Sequence, residues 1–386
     1  MASREMRIMS SKDNSYGRTD DNIGGEICVS DSFSDLQEQP LGFDQVSTNS
    51  KNDSAKGVSA IVVSYYTGPL LARAIASLKH QPEIDEIIIV DNGNWDDAVL
   101  NAADIGGDDG RDRPIDVHII SGQGNIGFSS ACNLGARKAK FSHLLFLNPD
   151  AVMPQGSMAT FLEGCQNIEN SDPEDEHYKP WMMGVKLVGS DGIEQSGARR
   201  HTLTPWRALV EATKLYRIAP KHPYFRRFNM NNDPCPGEVC MVPVTSGACF
   251  LIPKQDYFKI DGMDEHFFLH VEDIDFCLRF AKAGGRVFYN PNVEVMHFKG
   301  SSRTSKTSIE YYKTKGMQRY FAQHFTGVYP PLFLPLVSVL LWLRFGMFAC
   351  VNTLRRSLGF LGLRSRRGYQ VTERAKALAP RPLERN

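Results

Sequence analysis

The chain reads as an α/β protein, a Rossmann-like, mostly parallel central sheet flanked by helices. Two patterns predict this. Over residues 57–150, short and continuously apolar runs alternate with segments of helical spacing, as strands covered on both faces require. Two of those runs end in acids, Val90-Asp91-Asn92 and Asn148-Pro149-Asp150, and open parallel sheets bind ligands beyond such strand ends. The 386 residues, 42% hydrophobic and 10% aromatic, can bury a sizeable core, which excludes wholesale disorder.

The elements follow in order. Val58–Ser64 (VSAIVVS) is a β-branched strand. Gly68–Gln81 is a helix, with Leu70, Leu71, Ala74, Ile75 and Leu78 at helical spacing and Pro69 in its first turn. Glu86–Asp91 and Ile115–Ile120 are strands, Ser129–Lys140 a helix, and Leu144–Leu147 a strand. Farther on, Glu272 opens a helix whose apolar stripe is Ile274, Cys277, Leu278 and Ala281, with Asp275 and Arg279 paired on its solvated face. Tyr311, Tyr312, Arg319, Tyr320 and Phe321 lie on a later helix and serve either the core or a path for an acceptor. The first strand runs into Ser64-Tyr65-Tyr66-Thr67-Gly68-Pro69, not a GxGxxG turn. Gly122–Gly127 has that spelling but follows the third strand, so a dinucleotide-binding dehydrogenase is not predicted.

Lys+Arg and Asp+Glu number 44 each, which speaks against a nucleic-acid partner. The balance conceals uneven ends. Residues 1–56 are polar, with 10 acids and 6 bases and no sustained period, and are expected to be a disordered tail without a secretory signal. Residues 329–351 (YPPLFLPLVSVLLWLRFGMFACV) carry one charge, Arg344, and residues 352–386 carry nine Lys/Arg against two Glu, a net +7. An apolar segment followed by a basic one fits an anionic membrane surface. Pro330, Pro331 and Pro335, and a basic tail that a span would place away from a cytosolic domain, favour an interfacial or re-entrant segment over a span; a buried core helix is the other reading. The expected organisation is therefore a tail (1–56), a catalytic domain (57–325, divided near 150), a membrane-associated segment (326–351) and a basic tail (352–386). Eight scattered cysteines, none in a CxxC pair, are read as reduced and as no zinc site.

Four segments in order, IVVSYYTGPLLARAIASL, EIIIVDN, GNIGFSSACNLGARKA and LLFLNPDAVMP, resemble the nucleotide-sugar half of a family 2 glycosyltransferase of the GT-A fold. The stretch VTSGACFLIPKQDYFKIDGMDEHFFLHVEDIDFCLRFAKAGGRVFYNPNVEVMHFKGSS is similar to the acceptor half, and the subgroup resembled is the bacterial rhamnosyltransferase-like one. The resemblance covers about 57–325; residues 190–240 lie outside its motifs.

Sugar transfer needs cations or a metal at the leaving diphosphate and a base for the acceptor hydroxyl. The resemblance implies that Asp150 holds Mg²⁺ or Mn²⁺, with Asn148 standing where the commoner motif has a first Asp. It implies that Asp91 meets the nucleobase, with Ser64, Tyr66 and Thr67 along the base and ribose, and that Asn125, Gly127 and Asn133 lie under the nucleotide. Gly247 and Ala248 form the floor beneath the donor sugar, or else a plain strand edge. The family's Glu-Asp pair maps onto Glu272 and Asp273, with Asp273 as base. His297 reads either as a metal or diphosphate ligand or as a structural histidine, with Lys299 and Arg303 near phosphate or in a solvated loop. The implied activity is inverting transfer of a sugar to a saccharide or lipid-linked saccharide acceptor, at the cytoplasmic face of the cell membrane, in cell-surface polysaccharide synthesis. The implied donor is dTDP-L-rhamnose; a UDP-hexose donor, or an inactive nucleotide-sugar binder, are the alternatives.

Overall fold

The first apolar run folds as β1 (Ala55–Ser64), and the alternation it begins continues as α1 (Pro69–Lys79), β2 (Glu86–Asp91), α2 (Ala98–Asp104), β3 (Asp116–Ile120), α3 (Phe128–Lys138) and β4 (Phe141–Leu147). The computed structural model describes residues 55–94, 98–104, 115–170, 178–218, 222–300 and 304–360, all within one unit, Thr48–Asn386. The expectations for residues 1–54, for Arg303 and for the tail beyond 360 lie outside the described residues. The chain continues through β5 (Ala151–Val152), α4 (Ser157–Asn170), β6 (Trp181–Val188), β7 (Arg199–Arg200), α5 (Pro205–Thr213), β8 (Cys240–Met241), β9 (Val244–Thr245) and β10 (Cys249–Pro253). It ends with α6 (Lys254–Lys259), α7 (Glu272–Lys282), β11 (Arg286–His297), α8 (Lys306–Phe325) and α9 (Phe333–Phe360).

The main sheet has the order β3-β2-β1-β4-β10-β6-β11-β5, with β8 pairing β11, and β7 and β9 form a separate ribbon. β1, β2, β3 and β4 are parallel, with Ile61 between Ile88 and Phe146 in a fully covered core. β10 then runs antiparallel between β4 and β6. This reversal positions the site. Cys249, which starts β10, lies opposite Leu147, which ends β4, so Gly247 and Ala248 arrive at the carboxyl edge. β11 is parallel to β6 and ends at His297, opposite Ala151 just after the Asn148-Pro149-Asp150 turn.

Two expectations need correction. The Asp275–Arg279 pair exists, Arg279 Nε donating to Asp275 Oδ2 at 2.7 Å, but on a buried rather than a solvated face: Asp275 is 0% exposed. His324, near the end of α8, closes over it with Nε2 2.7 Å from Asp275 Oδ1, a long-range partner that helical spacing cannot show. The apolar segment also becomes helical only at Phe333 and continues to Phe360. Pro330 and Pro331 precede the helix, and Pro335 falls in its first turn, where its missing N–H costs nothing. α9 folds back along α8, and among its described side chains only Val337 and Leu341 are buried, so it is not a buried core helix.

Candidate active site

A cavity of about 870 Å³ opens at the edge where β1, β2, β4 and β11 end. One side carries Asp150 and His297. The Asn148-Pro149-Asp150 turn is held by Asn148 N–H donating to Ala248 C=O (2.8 Å) and by Phe298 N–H donating to Asp150 C=O (2.9 Å). Asp150 Oδ1 lies 3.2 Å from His297 Nε2. Gln195 Nε2 donates to the carbonyls of His297 (2.6 Å) and Val188 (3.3 Å), so its Oε1 faces the ring and accepts from His297 Nδ1 at 3.1 Å. That assigns the Nδ1 proton to Gln195; in the neutral ring Nε2 then carries the lone pair, aimed at the Asp150 carboxylate and 3.4 Å from Asn148 Nδ2.

With the ring neutral, the two acceptors at 3.2 Å call for a cation between them; with a second ring proton they form an ion pair. One carboxylate and one imidazole with its tautomer fixed from behind fit a divalent cation in part. Among the described residues no group of three or more His, Cys, Asp or Glu could complete the shell. The remaining ligands would have to come from oxygens brought by a substrate.

The opposite side carries Glu272 and Asp273 at the start of α7. His270 (φ 66°) and Val271 (φ 75°) precede them in the left-handed region, which a β-branched residue adopts only under constraint. Asp273 accepts three donors: Arg200 Nη2 (2.5 Å) and Gly247 N–H (3.0 Å) on Oδ2, and Ile274 N–H (2.8 Å) on Oδ1. Burial alone would raise its pKa, but the Arg200 guanidinium and the Gly247 N–H outweigh it, and the carboxyl is held below its ordinary range. Glu272 is displaced the other way. Burial, reinforced by the Asp273 charge, pushes it up to about 8, and its buried Oε2 has no hydrogen-bond partner among the described residues. Adjacent carboxyls thus hold different protonation states at neutral pH.

The third side is built from the ends of β1 and β2 and the start of α3. Gly127 has φ 87°, and a Cβ there would lie 2.8 Å from the Phe268 ring, so only glycine lets α3 approach the 267–268 segment. Phe128 N–H donates to Phe268 C=O (2.8 Å) and Ser129 Oγ to Phe267 C=O (2.7 Å). Asn125 Oδ1 accepts from Gly127 N–H at 3.1 Å. Lys299, Lys313 and Tyr312, the last stacked 4.7 Å from Phe268, complete the lining.

The cavity therefore brings together Asn125, Gly127, Asp150, Gly247, Ala248, Glu272, Asp273 and His297. Four other candidates do not line it. Alternation at the end of β1 turns Val63, Tyr65 and Thr67 inward; Ser64 is buried against Thr67 and Asn94 instead, and Tyr66 is off the lining. By the same alternation Asn92, not Asp91, faces the cavity; Asp91 Oδ1 accepts from Gly93 N–H and Asn94 Nδ2. Asn133 is a buried strut: its amide donates to Met263 C=O and Glu265 and accepts from Tyr257 Oη and Met263 N–H. Sequence reasoning missed Arg200 and Gln195, which lie in the unmatched 190–240 stretch. Two adjacent arginines were the available signal, since a buried guanidinium needs a carboxylate; Arg199 takes Glu194 (2.9 Å) and Arg200 takes Asp273.

Residues 59–171 match the model of Glycosyl transferase family 2. The N-acetylglucosaminyl-diphospho-decaprenol L-rhamnosyltransferase of Mycobacterium tuberculosis (strain ATCC 25618 / H37Rv) is 25% identical over 255 residues, 63% of this chain and 76% of that protein. Rhamnosyltransferase WbbL of Escherichia coli (strain K12) is 23% identical over 188 residues, 48% of this chain and 64% of that one. Among solved structures, a mannosyltransferase from Pyrobaculum calidifontis in complex with GDP-Man and Mn²⁺ superposes with a TM-score of 0.44 at 15% identity, over 85% of this chain and 82% of that one. Residues 59–171 thus carry the match to glycosyl transferase family 2, and with its similarity to the two rhamnosyltransferases the chain is a glycosyltransferase.

Proposed function

We propose that the chain passes a sugar from a nucleoside diphosphate to a lipid-linked saccharide hydroxyl in one inverting displacement, with residues 57–325 as the catalytic domain. The observation that carries this is the pairing, across one cavity, of Asp150 with His297 and of Asp273 with an arginine. Rhamnosyltransferase relatives, one named for a diphospho-decaprenol substrate, favour an L-rhamnosyl donor and a polyprenyl-diphosphate acceptor. Val63, Tyr65, Thr67, Asn92, Asn125 and Gly127 would line the nucleotide. Asp150 and His297 would hold a divalent ion, Mg²⁺ or Mn²⁺. When bound, that ion would neutralise charge on the departing diphosphate.

Asp273 would accept the acceptor's proton. Its three donors keep it ionised and aimed, at the expense of basicity, whereas Glu272 is protonated near neutrality and has no vacancy for a proton. Single displacement needs no covalent enzyme intermediate. α9 would hold the enzyme at the cytoplasmic face of the membrane.

Asp273→Asn tests the reading. Turnover, followed as nucleoside diphosphate release over a panel of dTDP- and UDP-sugars, should fall by about 10²-fold or more, with donor binding retained. Unchanged turnover removes Asp273 as base, and wild-type protein that binds donors without turnover leaves a nucleotide-sugar binder.

A further inference from the structure

α9 turns an apolar stripe to solvent and pairs its one charge with α8. Leu336, Leu340, Leu343, Met347, Val351 and Leu354 form one stripe, each 39–65% exposed. The one charge between 333 and 354 is Arg344, turned toward α8, where its Nη2 lies 2.8 Å from Glu310 Oε2. A helix against water would reverse this arrangement. The stretch Phe333–Arg355 is long and apolar enough to cross a bilayer.

It does not stand alone, however. α8 runs antiparallel beside it, tied by Trp342 Nε1 donating to Gln318 Oε1 (3.1 Å), by the Arg344–Glu310 pair and by Asn352 Nδ2 donating to Thr307 Oγ1 (2.8 Å). A crossing α9 would carry α8 into hydrocarbon with Lys306, Glu310, Lys313, Lys315 and Arg319, each costly there. Detaching α9 would instead bring Arg344 into lipid without Glu310.

We propose, resting on the membrane reading above, that α9 lies flat in the headgroup–acyl boundary of one leaflet, with its Leu336–Leu354 stripe inserted and α8 covering it on the aqueous side. The occupant of the stripe is the lipid surface itself. A flat helix immerses one row of side chains, about 5–10 Å deep, and leaves every α8 charge in water. Arg355 ends the stripe at headgroup level, and the residues from 356 to 386 add eight Lys/Arg against two Glu, a charge that suits anionic lipid. Ser305, which caps α8, and Ser308, Tyr312 and Lys313 on its first half line the cavity. A flat α9 therefore sets the cavity beside the interface, within reach of a head group carried on a lipid.

The test uses the full chain with Cys28, Cys235, Cys240 and Cys350 replaced by serine and single cysteines at 336, 343, 347 and 354 carrying an NBD fluorophore. With phosphatidylglycerol/phosphatidylethanolamine vesicles, quenching by brominated lipids should report the same shallow depth at all four positions, and external dithionite should reduce the labels at 336 and 354 alike. Leu343→Asp and Met347→Asp should each weaken vesicle partition by about tenfold, with turnover on a water-soluble acceptor unchanged. Labels deepest at 343 and 347 with 354 protected overturn the proposal in favour of a span. Failure to bind vesicles, with light scattering giving a dimer through the stripe, overturns it in favour of self-association. If wild-type protein binds vesicles but turns over no donor, the catalytic reading fails and the anchor stands.

Discussion

Replacing Glu272 by glutamine probes the electrostatics of the site through stability as well as rate. Glutamine reproduces the shape of the protonated acid, and the buried carboxyl titrates near 8 against an ordinary value of 4.5. Below pH 4.5 the wild-type group is neutral in both folded and unfolded chains, so wild type and variant differ by a constant. Between 4.5 and 8 the unfolded chain has released the proton while the folded one keeps it. The folded state binds more protons, and wild-type stability therefore falls as pH rises, by about 1.4 kcal/mol per unit. At pH 7 the accumulated difference is about 3 kcal/mol in favour of the variant, roughly 5 °C in melting temperature for a domain of this size. Above about pH 8 the gap levels off. Calorimetric melts of both proteins at pH 4, 5.5, 7 and 8.5 measure it, and parallel profiles would refute the assignment. The same variant should keep turnover within a few-fold at pH 7, because the group it replaces already carries its proton. A loss as large as that expected for Asp273→Asn would transfer the role of base to Glu272.

Arg200→Gln removes the cation paired with Asp273 and leaves a buried carboxylate uncompensated. Denaturant melts should lose about 3–5 kcal/mol, and the acid limb of the pH–turnover profile should move upward because the Asp273 pKa rises. An unmoved limb would mean that Arg200 does not set it. Gly247→Ala places a Cβ 3.1 Å from Asp273 Cβ. The shifted carboxylate should lower kcat by about tenfold with little change in melting temperature; unchanged kcat would mean that Asp273 yields freely.

How much of this was legible in the sequence depends on the range of the forces involved. Strands β1 to β4 and helices α1 and α3 were readable to within a few residues, since each is dictated by local apolar spacing, whereas the short α2 was not read. Asp150 and Asp273 were singled out by motif resemblance, and both line the cavity. The errors have a common origin in side-chain direction and distant pairing. Ser64 and Tyr66 were one residue out of phase with Tyr65 and Thr67, because the strand period of two decides the face and a motif does not. Asn133 had the residue type of a ligand contact but is consumed by the 257–265 segment, more than a hundred residues away. Arg200 lay in a stretch without a motif, and its partner is 73 positions farther on. The antiparallel β10 was unreadable for the same reason, because a fully buried run has no polarity to reveal its direction.

The long-range pairs also join the proposed catalytic residues and the proposed anchor in one frame. α7 carries Glu272 and Asp273 at its start and Asp275 one turn inside. Asp275 is fully buried, with Arg279 and His324 on its two oxygens, while Arg279 also donates to the Ile260 and Gly262 carbonyls at 2.8 Å. One carboxylate therefore fixes the catalytic helix to the 260–262 turn and to the far end of α8. Gly316, midway along α8, meets the strained turn before α7 so closely that a Cβ would lie 3.1 Å from the His270 carbonyl oxygen. α8 is thus packed against the turn that aims Glu272 and Asp273, and α9 is tied to α8 in turn. An α9 that left α8 to cross a bilayer alone would give up the ties that join it to this wall, so the packing fits the flat placement proposed above.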